Sequence, residues 1–131
     1  MAQVRKVKGS EMLAELDFKP YYDGQKLITD NDFLAVTAHG HTLYFKPEDF
    51  KSGENVIFMV EKNSDFTEGR GPMRFDSAYY TFDDAVEYIL RQDGIYGTPQ
   101  GVSNRPGINI HGVPYVTSDF NGFNIRPIEV K

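Results

Sequence analysis

The histidines are the first residues to consider for chemistry. His39 and His41 bracket Gly40, and His111 stands far along the chain. In an extended strand, side chains two positions apart share a face. His39 and His41, joined by His111 or a carboxylate, are the donor types that hold a zinc ion. Gly40, however, marks a turn between Phe33–Ala38 and Thr42–Phe45, and a turn separates the two imidazoles. The spacing therefore predicts turn histidines and no metal site.

A second chemistry is anion capture. Residues 94–118 carry no Asp or Glu in a chain rich in both, and Arg105 is their one formal cation. Thr98, Ser103, Asn104 and Asn109 add hydroxyl and amide groups, and Gly97, Gly101, Gly107 and Gly112 allow close backbone approach. A loop of this kind offers free N–H groups and one guanidinium fork to a small anionic or nucleotide-like ligand. Pro99, Pro106 and Pro114 stiffen it, and its length is that of loops that often bind something. It matches no Walker or dinucleotide pattern. Arg70 and Arg74, in the run Gly69–Arg74, read as a solvated hairpin loop.

A third chemistry is contact. Tyr21-Tyr22 and Tyr79-Tyr80 are paired aromatics. Neighbours in a strand point to opposite sides, so one member of each pair leaves the core. An exposed tyrosine ring supplies contact area at low entropic cost, which suits a partner-binding surface. The cationic start (Arg5, Lys6, Lys8) reads as solvated charge.

Catalytic patterns are absent from the sequence. No Gly-x-Ser-x-Gly elbow, His-Glu-x-x-His helix or phosphate-binding Gly-Lys-Ser/Thr occurs, and no cofactor is implied. Asp83 and Asp84 are accounted for by helix capping, and Glu48-Asp49 by a turn after Pro47. No pair of carboxylates stands out as an acid and its base.

The elements that would position these residues are mostly strands. The clearest helix spans 82–92: Thr81 caps it, Phe82, Ala85, Val86, Ile89 and Leu90 make one apolar stripe, and Gly94 follows as a stop. A weaker helical stretch covers Glu11–Leu16 behind Ser10. Asp23-Gly24 and His39-Gly40-His41 mark hairpins. Asn55–Glu61 reads as a central strand, because its apolar run is nearly continuous, which suggests cover on both faces. Met73–Tyr80 would return beside it across a loop at Lys62–Pro72. Asn121-Gly122 joins Tyr115–Ser118 to Asn124–Val130, with Pro127 putting that last strand at an edge or a bulge. The fold class is α+β: a mainly antiparallel sheet or partly open barrel packed on one short amphipathic helix, in one domain over residues 1–131.

Composition agrees. The 131 residues are 40% hydrophobic and 25% charged, with ten Phe, eight Tyr and no Trp. The absence of cysteine removes disulfides, thiolate metal sites and thiol nucleophiles together. No apolar stretch is long enough to span a membrane, and the start lacks the pattern of a secretory signal, so a cytoplasmic protein is expected. A formal charge of −5 repels phosphate backbones and argues against nucleic acid as a partner.

Residues Phe45–Val60 (FKPEDFKSGENVIFMV) resemble the stretch before the fourth strand of cold-shock-type OB domains, where a glycine turn feeds an apolar strand. The aromatic RNA-stacking motifs that define that family are missing here, so none of its function is carried across. The expectation is a non-enzymatic accessory or inhibitor-like protein. It would engage another macromolecule, a protein or a copy of itself, through an acidic, aromatic-rich surface. The alternative is a small-ligand domain using 94–118.

Overall fold

The computed structural model describes residues 2–16, 29–65, 70–92, 103–108, 114–119 and 122–131. They form two three-stranded antiparallel sheets, a two-stranded one and two helices. No closed barrel forms among them, so the α+β reading holds in its open-sheet form.

The first sheet has the order β1 (Gln3–Lys8), β2 (Asp32–Ala38), β3 (His41–Phe45). Its central strand β2, FLAVTA after Asp32, has an apolar residue at nearly every position because both of its faces are covered. Phe33 and Ala35 join Val7 and Tyr44 on one face, where α1 (Gly9–Glu15) lays down Met12 and Leu13. Val36, Ala38 and Leu43 point to the other face and enter the main core. Helix α1 starts at Gly9, earlier than Ser10 suggested. The Lys8 N–H donates to the Glu11 carboxylate at 3.4 Å, and Ser10 is exposed. The carboxylate three residues on does the capping that a serine hydroxyl was expected to do.

Between β2 and β3 the chain turns in two residues, with φ of 51° at His39 and 79° at Gly40. Two positive φ values make a type I′ turn, whose twist matches the flanking strands. An added Cβ at Gly40 would meet nothing within 4 Å, so glycine is required there by conformation and not by space.

The second sheet has the order β5 (Arg70–Tyr79), β4 (Val56–Asp65), β8 (Phe123–Glu129). β4 is central, as its apolar run predicts. The expected loop at Lys62–Pro72 is corrected: β4 continues to Asp65 and β5 begins at Arg70, so Arg70 and Arg74 lie on a strand. Pro127 sits opposite Phe58 on the edge strand β8, where its missing N–H costs no ladder bond on the free side. Val56, Phe58, Val60, Phe123 and Ile125 face inward. Helix α2 (Phe82–Arg91) closes the same core with Phe82, Ala85, Val86 and Ile89. Its Thr81 cap accepts the Asp84 N–H at 3.1 Å, as the sequence predicts. Phe45, Phe50, Phe58 and Phe82 form a ring cluster with centroids 5.2–6.3 Å apart, mostly tilted or edge-to-face, where the two sheets and α2 meet.

β6 (Ser103–Ile108) and β7 (Pro114–Asp119) pair with each other. Two expectations are corrected here. The stretch read as a long loop holds an antiparallel strand pair. The hairpin expected across Asn121-Gly122 does not form as a ladder either. Gly122 has the positive φ of 97° that a turn glycine takes, but β7 pairs with β6 and β8 with β4. Phe123 and Ile125 are buried between the sheets, and that burial outweighs what a local hairpin would gain. The expected Asp23-Gly24 hairpin lies outside the described residues. No helix among the described residues is long and apolar enough to cross a membrane.

Candidate functional site

The strands of the second sheet have two faces, and among the described residues only the inner one is covered, by α2 and the first sheet. Alternation sends Ile57, Met59 and Glu61 of β4 to the outer face, with Asn124, Arg126 and Ile128 of β8. On β5 the register adds Ala78 opposite Met59 and Phe75 opposite Glu61. Tyr80 continues that side one step past the ladder. Phe75 is 64% exposed and Tyr80 86% exposed, while Ile57, Met59 and Ile128 are half-buried by their neighbours. An uncovered sheet face with two such rings is unusual for a surface of scattered apolar residues. The polar members are already answered within the face: Glu61 accepts from Asn124 at 3.2 Å and lies 3.6 Å from the Arg126 guanidinium.

The tyrosine pair at 79–80 divides as strand alternation requires. Tyr79 stays inside, its ring 5.4 Å from that of Tyr88 on α2, and Tyr80 points away. Tyr21 and Tyr22 lie outside the described residues.

Phe75 reaches the outer face because of a β-bulge. Between the pairs Val60–Ser77 and Glu61–Phe75 the strand β5 holds an extra residue, Asp76. A bulge turns two successive side chains to one side. Asp76 thus joins Ser77 on the α2 side, with its side chain only 12% exposed. There the carboxylate accepts from Ser77 Oγ at 3.0 Å and lies 3.6 Å from Lys62 Nζ. It also accepts from the Tyr88 hydroxyl, which holds that phenol's pKa up to about 12, with burial adding to the effect. Serine, lysine and carboxylate recur in hydrolytic sites, but here every partner of Asp76 is a donor satisfying it. The arrangement anchors α2 to the edge strand.

A second polar cluster ties α1 to the first sheet. Arg5 and Tyr44 both flank Ala35 on the α1 side. The Glu15 carboxylate lies 2.9 Å from the Arg5 guanidinium and accepts the Tyr44 hydroxyl. The hydrogen bond from Arg5 and then that from Tyr44 hold the Glu15 carboxyl below the usual glutamate range, against partial burial. Burial first, and the anionic partner second, push the Tyr44 phenol well above its ordinary value. Lys6 and Lys8 both reach Asp32, at 3.5 and 3.0 Å. The basic start is therefore spent on internal ion pairs.

Of the anion-binding candidates, Ser103, Asn104 and Arg105 lie on β6, opposite Asp119, Ser118 and Thr117. Thr98 and Asn109 lie outside the described residues. Ser103 therefore stands across from a carboxylate-bearing residue, one position beyond the acid-free stretch. His39 occupies the turn and its Nε2 lies 3.2 Å from the Asp83 carbonyl, joining the hairpin tip to the first turn of α2. His41 opens β3, and His111 lies outside the described residues. No group of three metal-binding side chains occurs among the described residues. A hollow of about 520 Å³ lies between Phe50–Val56 and Glu129, where Lys51 and Glu129 pair at 3.7 Å. Its lining offers no convergent set of donors.

Sequence reading named Tyr80 but missed Phe75, Ala78 and the half-buried aliphatics around them. The double-sided apolarity of β4 was the available signal. Comparison with protein-family profiles, curated proteins and solved structures gives no match to this chain.

Proposed function

We propose that this chain is a non-catalytic binding protein that engages another protein through the outer face of its second sheet. The observation that carries the reading is the pair Phe75 and Tyr80, both largely in solvent on a face whose central strand is built from Ile57 and Met59. The two rings expose about 300 Å² of surface, worth ~7 kcal/mol gross if buried. That is of the order of the cost of association alone, so Ile57, Met59 and Ile128 must supply the surplus. Aromatic anchors ringed by weaker contacts are the usual anatomy of a protein interface. The acidic chain would speed encounter with a basic partner and select for it.

The test is capture from native lysate on immobilised wild-type chain and on a variant carrying both Phe75→Asp and Tyr80→Asp. A protein held by the first and released by the second supports the reading, provided both chains give the same circular dichroism. Equal capture on both refutes it. Stabilisation by inorganic phosphate or nucleotides that disappears in Arg105→Ala would instead favour capture of a small anion by residues 94–118.

A further inference from the structure

We draw no further inference here: the strongest candidate, the outer face of the second sheet around Phe75 and Tyr80, belongs to the surface already described, and nothing in the structure shows what covers it.

Discussion

Removing the Tyr44 hydroxyl should loosen α1 from the first sheet by an amount that the geometry of the cluster fixes. Tyr44 is buried, and its hydroxyl donates to Glu15, which also pairs with Arg5. A hydrogen bond to a charged group contributes about 1.5–3 kcal/mol. The Glu15 side chain is 35% exposed, however, so in Tyr44→Phe water can take the vacated lone pair. The expected loss is therefore at or below the bottom of that range, about 1–1.5 kcal/mol, or roughly 3–7 °C in Tm for a chain of this size. Glu15→Ala should cost more, about 2 kcal/mol, because it strands a buried phenol without an acceptor. The double variant should lose less than the sum, with a coupling near 1 kcal/mol. Urea unfolding of the four proteins at pH 7 measures all three quantities.

The pH dependence provides a second readout. Glu15 takes up a proton less readily folded than unfolded. Its contribution is therefore complete above the ordinary glutamate value and is lost as pH falls through the lower folded value. In Glu15→Gln that part of the acid limb should vanish, so the curves for parent and variant converge only once pH has fallen below the lowered folded value. A Tyr44→Phe chain as stable as the parent, a coupling of zero, or parallel acid limbs would refute the reasoning.

Three other outcomes follow from local geometry. Thr81→Ala removes the oxygen that caps α2 and should cost about 1 kcal/mol, while Thr81→Ser should restore most of it, read by thermal unfolding. Tyr80→Ala should leave stability within about 0.5 kcal/mol of the parent, whereas Tyr79→Ala should cost about 2–3 kcal/mol through the lost ring contact with Tyr88. At His39, where φ is 51°, Asn should be tolerated and Val should cost about 1–3 kcal/mol, read by urea midpoint.

The legible parts of the fold were those fixed by local chemistry. The Thr81 cap, the stripe from Phe82 to Ile89 and the His39-Gly40 turn each depend on residues within a few positions. The apolar run of β4 marked a central strand for the same reason. What escaped were pairings decided at long range. Gly122 makes a turn, yet Phe123 and Ile125 are drawn into the core between sheets, and β8 finds β4 rather than β7. The bulge at Asp76 is equally remote in origin: it depends on Lys62 across the ladder and Tyr88 on the helix. Because that extra residue shifts the alternation, sequence alone assigned no face to Phe75. The site was therefore legible only at Tyr80, past the end of the strand.

The edges of the sheets explain why a partner would approach the face instead. An unpaired edge strand is a template for another chain, and folded proteins blunt such edges with proline, cations and bulges. All three occur here. β8 carries Pro127 in its middle, β5 has Pro72 and Arg74 ahead of the bulge at Asp76, and β1 exposes Arg5, Lys6 and Lys8. Self-pairing at the last strand, which its edge position would otherwise permit, is opposed by Pro127. With these edges guarded, the outer face of the second sheet still presents Phe75 and Tyr80 to solvent. If edge pairing were the mode of association, restoring the edge with Pro127→Val should strengthen partner capture, and Phe75→Asp should leave it intact. If the face is used, Pro127→Val should have no effect on capture while Phe75→Asp abolishes it. Measured side by side, the two substitutions separate the face from the edge.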